Sequence, residues 1–221
     1  MRRFLAVIFG WLVLGGVAFG QTPSTSPAQP APGGGYAEVV GQSAFGNVTS
    51  QSYGAEVGFK VAPNLQIFGE VGRVTNAAPA SLGADAAVIA GALTLTQSNV
   101  AYQAKEPMTF GDFGVRYLFP VSGKVEPYVL AGGGVARVQK NVTFSVGGAD
   151  VTSSLSQAPY FVVLGSGLSG TETKPLLTLG GGVAYHIGAR LILDLQYRYG
   201  RVFTSEGINV SRAGAGFGVR F

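Results

Sequence analysis

From Tyr36 onward the chain alternates apolar and polar residues with a period of two, the repeat of a strand whose successive side chains point to opposite faces. Eight segments carry it: 36–46, 51–61, 65–74, 107–119, 126–138, 175–187, 190–199 and 210–221. Each is near the roughly 9–11 residues that a tilted membrane strand needs. Odd positions form the apolar set, as in Tyr53, Ala55, Val57, Phe59 and Val61, or Leu191, Leu193, Leu195, Tyr197 and Tyr199. Even positions hold Glu38, Gln42, Glu56, Lys60, Gln66, Glu70, Asp112, Arg116, Arg190, Asp194, Gln196, Arg198, Arg212 and Arg220, so five acids face six bases. Segment 126–138 breaks the pattern, because Tyr128 and Leu130 alternate with Val129 and Ala131 around Gly132, Gly133 and Gly134, and its facing stays unassigned.

The connections alternate in length. Ala62 to Asn64, Pro120 to Val125 and Gly188 to Ala189 are short, whereas two of the others, 75–106 and 139–174, exceed thirty residues. Short turns at one end and long loops at the other are the asymmetry of bacterial outer-membrane barrels, with the turns and both mature termini periplasmic. In 82–95, Leu82, Ala86, Ile89, Ala90 and Leu93 fall on one face at helical spacing, which predicts a short helix. It either packs against 155–164 as a cap over the barrel mouth or presents a contact surface for a partner or apolar ligand.

Composition decides which face meets lipid. Charged residues are only 12% of the chain against roughly 25% in soluble domains, and 35 of 221 residues are glycine. Past residue 20 no run reaches the roughly 18 apolar residues of a membrane helix, which leaves the closed barrel as the membrane fold that satisfies every backbone group. A soluble lipocalin-type barrel, apolar inside, is the structural alternative. A glycine-rich polar face with near-balanced charge suits a narrow lumen better than a soluble surface. The aromatics also fall in two girdles: Phe59, Tyr117, Phe119, Tyr128, Tyr185 and Phe221 near the periplasmic rim, and Phe45, Tyr53, Tyr197 and Tyr199 near the outer rim. The expected fold is all-β: an eight-stranded antiparallel up-and-down transmembrane β-barrel with short helical or strand elements in its extracellular loops.

The N-terminus reads as an export signal over 1–20, with Arg2 and Arg3 before an apolar run and small residues at Ala18 and Gly20. Residues 21–35, rich in proline and glycine, read as a disordered periplasmic linker, and 36–221 as the barrel. Without Arg2 and Arg3 the charge falls to 13 basic against 11 acidic residues, so nothing implies a nucleic-acid partner. With no cysteine there is neither a disulfide nor a lipidated N-terminal cysteine.

The layout, the segments YGAEVGFKVAPNLQIFGEVGRV and KVEPYVLAGGGVARV, and the terminal GFGVRF resemble the small eight-stranded outer-membrane barrels typified by the OmpA transmembrane domain and the opacity-type proteins. The resemblance covers 36–221 and implies residence in the outer membrane, in contact with its lipid and lipopolysaccharide. It implies that Phe217, Val219 and Phe221 form the C-terminal signal read by the barrel-assembly machinery. An OmpA-like peptidoglycan-binding domain is not expected after Phe221. Barrels of this class serve as adhesins, structural proteins, channels and lipid-modifying enzymes, so membership fixes no activity.

The candidate chemistry is a lumenal charge network of Glu56, Glu70, Asp112, Arg116, Asp194, Arg198 and Arg212. Eight strands leave an interior just wide enough for side chains, and charges forced into it must pair. The network is either a static salt-bridged core or a gate whose pairs exchange. His186, the single histidine, is expected at the periplasmic end and makes neither metal site nor triad. GSGLSG at 165–170 matches a dinucleotide motif after a strand-like run but without the helix and βαβ unit that would make it functional, and three Asn-x-Ser/Thr sequons carry no information in a bacterial barrel. No catalytic, cofactor or metal site is expected. The expected role is structural or surface-interacting, adhesin-like, through loops 75–106 and 139–174 above a side-chain-filled lumen. The alternative is a narrow channel or conduit for ions or small apolar molecules, and a lipid-modifying surface enzyme stands behind both.

Overall fold

The computed structural model describes residues 34–121 and 123–221. The expected export signal at 1–20 and all but the last two residues of the linker lie outside the described residues. The elements in order are β1 (Gly35–Phe45), β2 (Thr49–Ala62), β3 (Leu65–Val74), α1 (Ala80–Thr94), β4 (Val100–Lys105), β5 (Met108–Leu118), β6 (Val125–Val146), β7 (Ala149–Asp150), a 3-10 turn (Thr152–Ser154), β8 (Ser169–Ile187), β9 (Leu191–Val202) and β10 (Ile208–Arg220).

Eight of these strands close a ring in the order β1, β2, β3, β5, β6, β8, β9, β10, every pair antiparallel and β10 returning to β1. The row of paired residues leaving β1 at Tyr36 passes through Gly58, Phe68, Gly114, Gly132, Thr178 and Gly200 to Val210. Val210 lies ten residues before Arg220, the β10 residue that pairs with Tyr36 itself. That stagger of ten is the shear that closure of tilted strands demands. Closure leaves no edge in the ring, so every strand finds its backbone partners inside the protein.

Parity sorts the faces. Odd residues such as Val39, Phe113, Leu195 and Phe217 are exposed on the outside, while even residues from Tyr36 and Glu38 to Arg198 and Arg212 are buried within. β6 obeys the same rule, since Tyr128, Leu130, Ala136 and Val138 are buried and Val129 and Val135 exposed. Tyr128 therefore leaves the periplasmic girdle in which the sequence placed it. Phe59, Tyr117, Phe119, Tyr185 and Phe221 remain exposed there, as do Phe45, Tyr53 and Tyr197 at the outer rim.

Two boundaries differ most from the sequence reading. β6 runs on to Val146 and β8 begins at Ser169, so the 139–174 loop shrinks to 147–168. The alternation does not stop at the membrane boundary; it changes sign. Along the extension of β6, odd Gln139 and Asn141 are exposed while even Val138, Val142 and Phe144 are buried. Water replaces lipid outside, and an apolar cap replaces the polar lumen inside, so the apolar set moves to the other parity.

That cap is built on α1. Leu82, Ala86, Ala90 and Leu93 form its buried face and pack with Val142 and Phe144 of β6, Val151, Leu155 and Leu168, with Tyr160, Val162 and Leu164 at the edge. β4 pairs with the extension of β6, from Val100 opposite Val146 to Lys105 opposite Asn141. Asn76 ties the cap to the barrel: its Oδ1 accepts from the N–H groups of Ala78 at 3.1 Å and Glu106 at 2.9 Å.

Glycine lets β5 and β6 approach. A Cβ on Gly134, which faces inward, would stand 2.0 Å from the carbonyl oxygen of Gly111, whereas one on outward Gly133 would meet nothing closer than 3.4 Å. Gly134→Ala is therefore expected to cost roughly 1–3 kcal/mol while Gly133→Ala is nearly neutral. Urea unfolding of the two variants in lipid vesicles checks this, and equal stabilities would count against the packing account.

Candidate functional site: the lumen and its cap

The lumen carries its charge in two rows set by the register. Glu38, Glu56, Glu70 and Asp112 are directly opposed on β1, β2, β3 and β5, four carboxylates side by side along one hydrogen-bonding row. Arg212 and Arg198 are opposed on β10 and β9, and the same row continues through Gly180 and Leu130 to Arg116. Like charges directly opposed in a sheet repel. Neither row would be tolerable on a flat sheet, but a ring of eight strands turns one against the other.

The contacts across the lumen are short. Arg116 Nη2 donates to Glu56 Oε1 at 2.5 Å and lies 3.4 Å from Asp194 Oδ2. Arg198 joins Glu56 to Glu70, reaching Glu56 Oε2 through Nη2 and Glu70 Oε2 through Nη1, the latter at 2.7 Å. Arg212 Nη1 reaches Glu70 Oε1 at 2.8 Å and its Nη2 reaches Oε2 at 3.1 Å, a two-pronged pairing of guanidinium and carboxylate. Two tyrosines complete the set. Tyr36 donates to Glu56 Oε1 at 2.5 Å and Tyr128 to Asp194 Oδ2 at 2.7 Å, while the Arg116 guanidinium lies 4.7 Å and 3.9 Å from their ring centroids.

Six of the seven charges read from the sequence thus share one bonded network. Asp112 is the exception: it sits beside Glu70 in the acidic row, and among the described residues it makes no ion pair. The balance of five acids and six bases does not hold inside either. Lys60 and Arg220 line a vestibule of about 270 Å³ at the periplasmic mouth with His186, and Arg190 is exposed in the turn. The enclosed lumen keeps five carboxylates for three guanidiniums. Sequence reasoning left four members out of the network: Tyr36, Tyr128, Gln196, which accepts from Arg198 Nε, and Gln42, which accepts from Arg212 Nη1. Their even numbers were the available signal, but an aromatic inside a lumen is placed only by register. Tyr36 and Tyr128 fit because Gly58 and Gly182 stand opposite them.

Above the network the lumen becomes apolar. Val74, Met108, Phe110, Val138, Leu176, Val202, Ile208 and Val210 form a buried plug across the outer end of the barrel, and α1 and its partners form a second core over it. Glu106 lies at the joint between plug and cap, fully buried, with neither carboxylate oxygen hydrogen-bonded. Burial pushes its carboxyl up to about 7; Lys140 opposes the shift, and Glu172 and Glu206 add to it.

An eight-stranded barrel with an apolar belt, two aromatic girdles and a bonded polar lumen is a transmembrane barrel of the bacterial outer-membrane class. The chain belongs to the outer membrane protein beta-barrel domain family, whose sequence model matches residues 9–221, and its place is the cell outer membrane. Its fold is similar to that of Neisserial surface protein A, at 16% identity and a TM-score of 0.52 over 85% of this chain and 96% of that one. It is also similar to a major outer membrane protein from Thermus thermophilus, at 12% identity and a TM-score of 0.53 over 85% and 99%. A search of curated protein sequences returned no match.

The arginines and Glu106 respond differently to substitution. Arg198→Met takes one guanidinium from each of Glu56 and Glu70, leaving them to Arg116 and Arg212, and is expected to cost about 3 kcal/mol, whereas Asp112→Asn breaks no ion pair and should cost under about 1 kcal/mol, both read by urea unfolding in vesicles. Because the Glu106 carboxyl titrates higher in the folded cap than in the unfolded chain, the stability it contributes is complete below pH ~4.5 and declines as pH rises to 7. Hydrogen exchange across residues 77–105, corrected for intrinsic rates, should show protection falling over that window in the wild type and staying level in Glu106→Gln.

Proposed function

We propose that this protein is a non-enzymatic outer-membrane barrel whose lumen is closed and whose capped loops are its working surface. The observation that carries the reading is the stacking of a bonded charge network beneath a dry apolar plug. An ion crossing that plug would lose its hydration with no polar group to replace it. The conduit reading is disfavoured on the same ground.

The cap, in contrast, offers contact. Val88, Leu95, Phe161 and Val163 are each more than 70% exposed on the extracellular elements, above the membrane where lipid does not cover them. Exposed apolar side chains of this size on a rigid scaffold suit attachment to another surface. His186 belongs to the periplasmic mouth, at the opposite end from the outer leaflet where a surface lipid hydrolase would work.

Planar-bilayer recording tests closure: no discrete conductance is expected, and stable unitary currents from folded wild-type protein would overturn it. Cells displaying the wild type should adhere to host-cell or matrix surfaces, and the pair Phe161→Ser and Val163→Ser should reduce adhesion at least fivefold without loss of folded barrel. Adhesion unchanged by that pair would count against the cap as the working surface.

A further inference from the structure

The outer face of the barrel carries a feature that neither the lumen nor the cap uses. Along one hydrogen-bonding row at the extracellular rim, Tyr53 of β2, Arg73 of β3, Thr109 of β5, Arg137 of β6 and Thr173 of β8 are consecutive partners. All five are odd-numbered, point away from the lumen and are exposed. Arg73 is the residue before the last of β3 and Thr109 the second of β5, while β6 passes into its cap-bound extension soon after Arg137. The row therefore lies where the barrel leaves the hydrocarbon, at the level of the outer aromatic girdle. Neither arginine makes an ion pair or side-chain hydrogen bond with any described residue.

Immediately below on the same strands, the next outward row reads Ala55, Val71, Gly111, Val135 and Pro175. Gly111 has no side chain, so a slot opens between Val71 and Val135, directly beneath Thr109 and between the two arginines. It is the floor of a mostly apolar groove of about 800 Å³. A Cβ on Gly111 would meet Val71 Cγ1 at 3.8 Å and no closer atom, so the protein does not need glycine there to fold.

We propose that this groove is a binding site for a phosphorylated acyl lipid of the outer leaflet. Arg73 and Arg137 are two strands apart, about 10 Å between backbones, and flank the Thr109 hydroxyl. A phosphate seated over Thr109 is within reach of both guanidiniums, and the acyl chain below it enters the Gly111 slot. Arginine on a lipid-facing surface is costly at mid-membrane and tolerable at the interface, where its long stem lies along apolar surface and its head meets the anionic layer. Charge complementarity selects the phosphate, and the dry slot selects a lipid over free phosphate. The site stands whether or not the lumen is closed.

The full chain, refolded in neutral detergent micelles, is titrated with bisphosphorylated lipid A, with the same lipid dephosphorylated, and with inorganic phosphate as competitor. Wild type should bind the phosphorylated lipid at least 20-fold more tightly than the dephosphorylated one, with millimolar phosphate failing to displace it. The double variant Arg73→Gln, Arg137→Gln should lose at least 20-fold. Gly111→Leu, which leaves both charges in place and fills the slot, should lose at least fivefold. Arg190→Gln, at the periplasmic turn, should bind as wild type. The heat-dependent gel shift of a folded barrel verifies each variant. Affinities within threefold of wild type for the folded double variant, equal binding of the dephosphorylated lipid, or displacement by inorganic phosphate would each overturn the proposal.

Discussion

The structure depends on the pairing of β1 with β10. Gly35 and Phe221 exchange two backbone hydrogen bonds, 2.8 Å from the Gly35 N–H and 3.0 Å from the Phe221 N–H, and ten residue pairs join the strands beyond them. In hydrocarbon no water satisfies an unpaired strand edge, so a sheet either closes or does not insert. Closure at eight strands with a stagger of ten then sets the lumen's width, and the lumen's width sets what may fill it. The glycines opposite Tyr36 and Tyr128 and the close approach of β5 and β6 at Gly134 are consequences of that narrowness.

Narrowness also explains why like charges sit side by side. On an open sheet the row Glu38, Glu56, Glu70, Asp112 would be repulsive throughout. In a closed ring the guanidiniums of Arg116, Arg198 and Arg212 reach across from the far wall, so each arginine compensates carboxylates that are its neighbours in space and distant in sequence. Glu56 bonds partners 60 and 142 residues away. Removal of Arg198 takes a partner from two carboxylates at once and leaves each with one guanidinium, which makes the arginines the sensitive members. The network functions as a cross-brace of the ring, and the apolar plug above it keeps the brace dry on its outer side.

Outside the bilayer the same strands follow a different solvent. The extension of β6 keeps the period of two but reverses its sense, turning apolar residues inward against α1 and polar ones toward water. The joint between the two regimes holds Glu106, a carboxylate with burial and no hydrogen-bond partner, which links the cap to pH. At the rim, two outward arginines meet the level of the lipid headgroups. Each solvent boundary thus leaves its own mark on a single strand, and the chemistry of the protein concentrates at those boundaries.

Much of this was legible along the chain because it is local. A period of two needs only successive residues, so the strand count, the parity of Glu56, Glu70, Arg116, Asp194, Arg198 and Arg212, and the helix on Leu82, Ala86, Ala90 and Leu93 could all be read without coordinates. Parity could not say how far a strand continues once its surroundings change, so β6 was cut short where its apolar face switched sides, and β8 where Ser169 to Lys174 put no apolar residue on either face. Nor could it orient Tyr128, flanked by residues as apolar as itself, until pairing with Gly182 put its ring inside. Which carboxylate meets which guanidinium, why Asp112 meets none, and that Arg73 and Arg137 share a row two strands apart are matters of register and closure. Register is a relation between strands, and only the closed barrel brings those strands together.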